Sequence, residues 1–286
     1  MLGGPTASGK TECAIQLAQI WQTEILSADS RQFYKELSIG TAKPDARELS
    51  LAKHHFINNR SVTEDYTAAD YEKDALALIH QLFLQYNILI LCGGSGLFID
   101  AVLYGFDALP PANEELRKNL GNLYEQHGIE ALQEKLQELA PEKLKQIDNY
   151  NPRRLIRAIE IASDLNFVKT STKVDRPFSA HLFYLNPERE LLYQKINKRV
   201  DKMMQDGLLK EVIGIKSYRH HNALQTVGYK ELFDHLDGKI TLDESIGLIK
   251  QHTRNYAKRQ ITWFKNKGYT PINSCAELVE IQTHKT

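Results

Sequence analysis

The chain has 286 residues, 42% of them hydrophobic, and its 36 Lys and Arg balance 36 Asp and Glu, so the formal net charge is zero. A chain of this length holds one large domain or two smaller ones and buries a substantial core. No apolar run approaches the roughly 20 residues that a membrane helix needs, and no cleavable leader opens the chain. We therefore expect a cytoplasmic protein without a membrane partner.

Disulfides and a structural metal are not indicated by the sequence. Cys13, Cys92 and Cys275 stand far apart, outside any C-x-x-C pair or Cys/His cluster, which argues against a disulfide framework and a zinc site. The adjacent pair His54 and His55 has no acidic ligand cluster beside it. Because adjacent side chains rarely converge on one ion, we expect a structural role for this pair.

Charge is distributed unevenly along the chain. Residues 1–150 carry 13 Lys and Arg against 21 Asp and Glu, whereas residues 151–286 carry 23 against 15. Within the second half, residues 245–276 hold six basic residues and no acidic one. A polyanion such as a nucleic acid would meet this half first, and a solvated basic helix face explains the same pattern equally well.

The first motif is GPTASGKT at residues 4–11, a complete G-x-x-x-x-G-K-T phosphate-binding loop. Its glycines let successive backbone N–H groups curl around an anion, the following helix directs its positive end at that anion, and Lys10 adds a cation. The Thr11 hydroxyl is suited to bind Mg²⁺. The alternative is a glycine turn with an incidental lysine. The predicted diphosphate-binding residues are Gly4, Pro5, Thr6, Ala7, Ser8, Gly9, Lys10 and Thr11.

Short apolar runs alternate with helical periodicity after this loop. This alternation predicts a parallel sheet with crossover helices. Ligands of such sheets bind beyond the carboxyl ends of the strands. We therefore expect residues 29–32 and 93–96 on the same rim as the phosphate loop. The elements predicted here are a short strand at 1–3, a helix at 12–20, a strand at 24–28, a helix at 68–86 and a strand at 88–92.

The run Leu109-Pro110-Pro111 interrupts the alternation, and residues 112–162 read as charged amphipathic helices with few strand formers. We interpret the segment as a helical insertion. The whole pattern predicts an α/β fold, a P-loop NTPase-like parallel sheet flanked by helices, with an α-helical insertion domain. The predicted ranges are 1–108 and 173–286 for the α/β core, 109–172 for the insertion, 181–185 for a further strand, and 188–205 and 243–266 for long helices.

Eight blocks of the sequence closely resemble the bacterial tRNA dimethylallyltransferases, also called tRNA isopentenylpyrophosphate transferases. The resemblance is collinear from residue 3 to about residue 267. The phosphate loop is shared with many unrelated ATP-binding and other nucleotide-binding proteins, whereas the other blocks are far more particular. The eight blocks are GPTASGKT at 4–11, SADSRQFYKELSIGTAKP at 27–44, HHFIN at 54–58, YTAADY at 66–71, GGSGLF at 93–98, NPRRLIRAIE at 151–160, GYKEL at 228–232 and TRNYAKRQITWF at 253–264.

The resemblance implies a monomeric enzyme that uses Mg²⁺ and transfers the dimethylallyl group of dimethylallyl diphosphate to N6 of adenosine 37 in tRNA. Its partners would be dimethylallyl diphosphate and the tRNA anticodon stem-loop. The N6 lone pair is delocalised into the ring, so the displacement needs a base near N6 and charge stabilisation on the diphosphate.

Individual residues match the catalytic groups of the family. Asp29 matches the family's general base; a carboxylate linked to magnesium or the N-cap of the next helix are the alternatives that the residue itself leaves open. Lys10, Thr11 and Arg199 match the groups that stabilise the diphosphate. Ser95 stands where the family usually has threonine, so the hydroxyl toward the target nucleotide is kept and a methyl contact is lost.

The resemblance also assigns tRNA contacts. The target nucleotide has to leave its stack before N6 is reached, which costs a few kcal/mol that protein contacts must offset. For Arg117, a solvated helix position is an equal alternative. Arg254, Lys258, Arg259 and Gln260 would complete this surface, whereas Trp263 and Phe264 are expected in the core. The predicted tRNA-binding residues are Asp29, Ser30, Arg31, Gln32, Ser95, Arg117, Arg153, Arg154, Leu155, Ile156, Arg157, Gln225 and Lys230.

Other functions remain open from the residues alone. An adenylate dimethylallyltransferase modifies free AMP, ADP or ATP and would not need a positively charged half. A P-loop small-molecule kinase would use the loop for ATP, but we find no acidic strand end of the kind that usually holds Mg²⁺ in P-loop ATPases. An RNA-binding module without catalysis leaves Lys10, Thr11 and Asp29 unexplained.

Overall fold

The computed structural model of the protein describes residues 1–105, 110, 112–164 and 176–283. They fall into two compact units, the core unit of residues 1–105 and 175–286 and the helical unit of residues 106–174. The domain boundaries predicted at 108/109 and 172/173 lie outside the described residues, as do Leu109 and Pro111 of the predicted break.

A six-stranded sheet forms the centre of the core unit as described, and every pair of neighbouring strands is parallel. Leu2 of the first strand lies opposite both Cys92 and Phe183, so the phosphate loop starts from the middle of the sheet. This confirms the predicted α/β fold. The strands are β1 (Leu2–Gly3), β2 (Ile25–Ala28), β3 (His54–His55), β4 (Ile90–Gly93), β5 (Phe183–Leu185) and β6 (Thr270–Ile272), in the order β3-β2-β4-β1-β5-β6.

Two edge strands were not predicted. β3 has two residues, which is too short for an alternating pattern to be read. β6 contains Pro271, a residue without a backbone N–H, and it pairs on one side only, with β5. Proline is tolerated in a sheet at such an edge. Pro271 therefore fits its position in β6, although a proline in a short run argues against a strand when only the sequence is known.

The predicted helices at 12–20, 68–86, 188–205 and 243–266 are present with ends shifted by a few residues. Thr67 and Thr241 begin two of them with capping boxes, in which the threonine side chain and a carboxylate three residues later satisfy each other's backbone N–H. The helices are α1 (Lys10–Trp21), α2 (Ala46–Leu51), α3 (Ala68–Leu82), α4 (Gly96–Tyr104), α5 (Glu114–Leu139), α6 (Pro141–Gln146), α7 (Pro152–Ser163), α8 (Arg189–Gln205), α9 (Leu208–Gly214), α10 (Tyr229–Leu236), α11 (Leu242–Asn266) and α12 (Cys275–Thr283).

The side chains of α1, the central strands and α12 form one apolar cluster, in which Cys13 and Leu278 are both buried. Cys13 and Cys275 form a disulfide with their Cα atoms 5.3 Å apart, while Cys92 is buried and unpaired with another cysteine. The expectation of no disulfide is therefore wrong for this pair. Sequence spacing could not reveal it, because 262 residues separate two cysteines that the packing of α12 against α1 brings together.

Helix α11 lies directly on the backbone at the carboxyl end of β4. A Cβ atom added to Gly94 would overlap the Gln260 side chain, and one added to Gly96 would overlap the Trp263 ring. Phe264 is fully buried, as expected for a core residue of an amphipathic helix, whereas Trp263, whose ring contacts that of Phe264, is partly exposed. Gly94 and Gly96 thus stand where side chains of α11 occupy the space that a Cβ atom would need.

The helical unit contains α5, α6 and α7 among its described residues. Gly128, with φ +76°, divides α5 into two halves. Leu120, Leu132, Leu155 and Ile159 are buried in a shared apolar core. The segment is helical, as its charged amphipathic pattern predicted.

Among the described residues, the helices are all too short or too polar to cross a bilayer.

Candidate active site

The phosphate loop has the left-handed backbone geometry that its sequence demands. Ala7 and Gly9 have φ values of +63° and +90°, and Gly9 precedes α1 without a described side chain capping that helix. The amide N–H groups at the start of α1 are therefore available to an anion. The buried Ser8 hydroxyl has no hydrogen-bond partner among the described residues. A buried donor of this kind fits a phosphate oxygen.

The Lys10 side chain folds back onto the phosphate loop. Its Nζ donates to the Pro5 carbonyl at 2.6 Å. Burial lowers the pKa of the Lys10 ammonium to about 8, although Cys92 and Asp29 act in the opposite direction. A bound anion would restore the charged form, so the group is suited to bind a diphosphate.

The segments after β2 and β4 meet on the rim of the sheet. Ser95 N–H donates to the Ala28 carbonyl at 3.2 Å, and Ser95 Oγ accepts from the Ser30 N–H at 2.9 Å. Asp29 Oδ1 accepts from the Arg31 N–H at 3.0 Å. The predicted meeting of 29–32 with 93–96 is confirmed.

Asp29 does not cap a helix. The next helix along the chain is α2, and Asp45 is its N-cap. The N-cap alternative for Asp29 is therefore wrong, and its carboxylate borders a cavity instead.

The cavity lies in the core unit, has a volume of about 290 Å³, and brings together residues from the phosphate loop, the rim and α8. Both a carboxylate and several cationic groups line it. Residues of the SIGTAKP motif, α11 and the 226–228 segment complete the wall. The predicted site residues that line it are Thr6, Lys10, Thr11, Asp29, Ser30, Arg31, Gln32 and Arg199.

Arg199 crosses the cavity from α8. Its guanidinium contacts Thr6 Oγ1 and the Ala42 carbonyl, each at 3.4 Å. Burial lowers the pKa of Arg199, while Asp29 and Glu48 counteract this shift. Because arginine starts from a pKa above 12, it remains a cation at neutral pH.

Two residues of α11 belong to the site in ways that the sequence did not reveal. Tyr256 lines the cavity within hydrogen-bonding reach of Ser95, and burial, followed by the charge of Asp29, raises the pKa of its hydroxyl to about 12. Gln260 is buried, with Oε1 accepting from the Thr6 N–H at 2.8 Å and Nε2 donating to the Gly94 carbonyl at 2.9 Å. Gln260 therefore holds the phosphate loop and is not part of an exposed tRNA surface.

The oxygen groups of the cavity are compatible with magnesium. Thr11 and Asp29 both line it. Mg²⁺ usually keeps several waters and takes only one or two protein oxygens together with substrate phosphates. No cluster of three or more His, Cys, Asp and Glu suited to a metal occurs among the described residues. A site shared with a diphosphate therefore fits the residues better than a separate protein cage.

Both histidines make contacts within the fold, and His54 also lines the cavity. His54 Nδ1 lies 2.8 Å from the Ala52 carbonyl, and His55 Nε2 lies 2.5 Å from a carboxylate oxygen of Glu24. The expected structural role of these residues agrees with these contacts.

In the helical unit, a buried carboxylate binds two of the predicted tRNA-contacting arginines. Glu160 is 3% exposed and accepts from Arg157 Nη1 at 2.5 Å, from Arg117 Nη2 at 3.0 Å and from the Asn113 N–H at 2.5 Å. Burial acts to raise the pKa of Glu160, but these hydrogen bonds outweigh it and lower the pKa. Arg117 and Arg157 therefore also stabilise the unit.

The other predicted residues of α7 divide between surface and core. Arg153 and Arg154 are exposed, whereas Leu155 is fully buried and Ile156 packs against the same core. The side chain of Leu155 is thus a packing residue rather than a surface contact. Helical periodicity explains the difference, since adjacent positions of a helix face different directions.

Gln225 and Lys230 do not line the cavity, although residues between them do. Gln225 Nε2 donates to the Arg219 carbonyl at 2.8 Å, and Lys230 is exposed on α10.

A phosphate loop at the centre of a parallel sheet, beside a cavity with a carboxylate and buried cations, defines a P-loop protein with an anion-binding pocket. The chain belongs to the IPP transferase family, whose model matches residues 32–267. A tRNA dimethylallyltransferase of Flavobacterium johnsoniae is 48% identical over 281 residues, which cover 93% of this chain and 90% of that protein.

Solved structures agree with this assignment. The full-length tRNA isopentenylpyrophosphate transferase of Bacillus halodurans is 35% identical, with a TM-score of 0.73 covering 99% of this chain and 93% of that one. A eukaryotic dimethylallyltransferase acting on tRNA is 25% identical, with a TM-score of 0.72 covering 92% of this chain and 68% of that one. The family resemblance found in the sequence is thereby confirmed.

Proposed function

We propose that this protein is a tRNA dimethylallyltransferase that transfers the dimethylallyl group of dimethylallyl diphosphate to N6 of adenosine 37 in tRNA. The observation that carries the proposal is that one cavity is lined by Lys10, Arg199 and Asp29. Lys10 and Arg199 are cations for the diphosphate, and Asp29 is a proton acceptor for N6. Family membership favours this activity over transfer to free AMP and over a small-molecule kinase.

The reaction breaks the bond between C1 of the dimethylallyl group and the diphosphate oxygen, and the electron pair leaves with the diphosphate. The loop N–H groups, the Lys10 ammonium and the Arg199 guanidinium stabilise the charge that develops there. The Thr11 hydroxyl, which lines the cavity, would hold Mg²⁺, and the ion would supply further charge neutralisation for the leaving group.

The bond from N6 to C1 forms as the leaving group departs, and a proton passes from N6 to the Asp29 carboxylate. The hydrogen bond from the Arg31 N–H orients that carboxylate. Ser30, Arg31, Gln32 and Ser95 would contact the target nucleotide. Tyr256, with a hydroxyl pKa raised to about 12, stays protonated at neutral pH and does not compete with Asp29 as the base.

The tRNA partner is proposed to bind through its anticodon stem-loop. Arg153 and Arg154 offer exposed guanidinium groups in the helical unit, and Arg259 lies over the Tyr256 ring in the core unit. Aromatic rings and arginine guanidinium planes are the groups on which RNA-binding proteins stack unstacked bases. We further propose that the enzyme acts as a cytoplasmic monomer.

The experiment is incubation of unmodified tRNA with the protein, dimethylallyl diphosphate and Mg²⁺, followed by nuclease digestion and mass spectrometry of the nucleosides. We expect an adenosine carrying one dimethylallyl group, located at position 37 by fragment mapping. Parallel reactions with AMP and with ATP as acceptor should give no product. Modified AMP in place of modified tRNA would refute the proposal in favour of adenylate transfer.

A matched pair of lysine variants links the product to the cavity. Lys10→Ala should lower kcat/KM by roughly 10²–10³-fold with tRNA binding retained, because charge on the leaving group is then poorly stabilised. Lys73→Ala, on the exposed surface of α3, should match the wild type. Full activity of Lys10→Ala would refute the assignment of the phosphate loop as the diphosphate-binding site.

A further inference from the structure

Glu211 on α9 binds the backbone of a loop that lines the cavity. Its carboxylate accepts from the N–H groups of Ser38 at 3.1 Å, Ile39 at 2.8 Å and Gly40 at 3.2 Å. These are successive residues of the SIGTAKP motif, and the loop they begin, residues 38–42, is here called the anchor loop. A carboxylate that accepts three consecutive amides fixes the course of a backbone more tightly than a surface contact does.

Tyr229 completes this anchor. It is fully buried as the first residue of α10, and its hydroxyl donates to Glu211 Oε1 at 2.7 Å. Burial, reinforced by Glu211, raises the pKa of the Tyr229 hydroxyl, so it remains a donor at every working pH. The ring also lies against Gly40, where an added Cβ would come within 2.6 Å of it. Gly40 is therefore the residue that lets the loop approach the ring.

The other end of the anchor loop contacts two residues of the proposed active site. Gln32 Nε2 donates to the carbonyls of Thr41 and Ala42, each at 3.3 Å. The Ala42 carbonyl also accepts from Arg199 Nη2 at 3.4 Å. The Ala42 carbonyl thus contacts both Arg199, the cation assigned to the diphosphate, and Gln32, a residue assigned to the target base, whereas the Thr41 carbonyl contacts Gln32.

We propose that Glu211 and Tyr229 are positioning residues for the transfer reaction, which fix the anchor loop so that its carbonyls orient Arg199 and Gln32. Neither side chain touches the substrate. The proposal rests on the proposed function for the roles of Arg199 and Gln32, while its effect on diphosphate binding is measurable without tRNA.

The anchor can be weakened in graded steps. In Glu211→Gln, one oxygen keeps two of the loop amides, and the new NH₂ group faces a backbone N–H that it cannot satisfy. Tyr229→Phe removes one hydroxyl and leaves the carboxylate with its three amides. Gly40→Ala adds a methyl group that has to displace the ring or the loop. We expect Glu211→Gln and Gly40→Ala to weaken binding of inorganic pyrophosphate about tenfold, and Tyr229→Phe about threefold.

The chain offers a matched control for a buried carboxylate with a tyrosine partner. Glu24, buried before β2, accepts from the Tyr86 hydroxyl at 2.9 Å and from Lys53 at 3.2 Å, and it does not line the cavity. Glu24→Gln and Tyr86→Phe should lower the melting temperature without changing pyrophosphate affinity. They separate loss of stability from loss of positioning.

Pyrophosphate affinity is measured by titration calorimetry well below the melting temperature of every variant, first in the wild-type background and then with Arg199→Ala. If Glu211 acts through Arg199, Glu211→Gln should change affinity less than about twofold once Arg199 is absent. In the transfer reaction with tRNA, Glu211→Gln should raise KM for dimethylallyl diphosphate. It should also lower kcat, since the orientation of Gln32 is affected too.

The outcomes are distinct. Unchanged pyrophosphate affinity in Glu211→Gln and Gly40→Ala, with lowered melting temperatures, would make the anchor purely structural and refute the proposal. Equal losses with and without Arg199 would refute the route through that arginine. If the wild type modifies no tRNA while the pyrophosphate results are as expected, the proposed function fails and the positioning of Arg199 stands.

Discussion

The lowered pKa of Lys10 predicts that diphosphate affinity falls as the pH rises above 8. In the free protein this pKa is about 8, so half of the molecules carry the ammonium at pH 8.0 and about 3% carry it at pH 9.5. If the bound diphosphate requires the charged form, affinity should fall about 16-fold over this interval. The sign follows from the direction of the shift, since the ammonium is almost fully protonated well below pH 8 and loses its proton progressively as the pH rises through 8.

Pyrophosphate itself titrates in this range, so wild type is compared with Lys10→Arg, whose guanidinium stays charged. The ratio of the two association constants cancels the titration of the ligand and of other groups, including Lys43, whose pKa is also lowered to about 8 by burial. Calorimetry in buffers of different ionisation enthalpy should also show proton uptake on binding to the wild type near pH 8.5, and little to Lys10→Arg. A ratio that stays constant from pH 8.0 to 9.5 would refute the argument that Lys10 binds the diphosphate as a cation desolvated by burial.

Three further substitutions examine the base, the tRNA surface and the helical unit. Asp29→Asn should lower the single-turnover rate by roughly 10²–10⁴-fold with substrate affinities retained, and recovery at high Mg²⁺ would show a metal-linked carboxylate instead. The double variant Arg153→Ala/Arg154→Ala should reduce the slope of log tRNA affinity against log salt by somewhat under two units, and an unchanged slope would mean solvated arginines. Glu160→Gln should destabilise the chain by about 1–3 kcal/mol in urea unfolding, while the exposed Glu125→Gln should not; equal curves would contradict the buried ion cluster.

The architecture of the core was accessible from sequence because its signals are local. Apolar runs of four or five residues, turn glycines and helical periodicity are each contained within a short window, and they predicted β2, β4, β5 and the long helices. The disulfide between Cys13 and Cys275 is not local in this sense. It depends on where α12 packs, which no spacing rule encodes.

The site divides in the same way. Lys10, Thr11 and Asp29 could be assigned to one rim because a motif and a strand end place them there. Gln260 and Leu155 were assigned to a tRNA surface, but both side chains are buried; both lie in basic, helical stretches where only the three-dimensional packing tells which face is buried. Glu211 carried no sequence signal at all, since its partners are backbone amides more than 170 residues away.

Because α11 packs directly against Gly94 and Gly96, residues 93–96 and 260–263 form one contact surface and should be exchanged together between homologous proteins. A chimaera that takes one stretch from a relative and keeps the other joins a helix to a surface shaped for different side chains. Recombination points between residues 97 and 259 should therefore be used in pairs that carry both stretches from the same parent. Family signatures such as GGSGLF and RQITWF can then mark a shared surface inside the molecule as much as a shared chemistry, and library designs gain by treating them as one block.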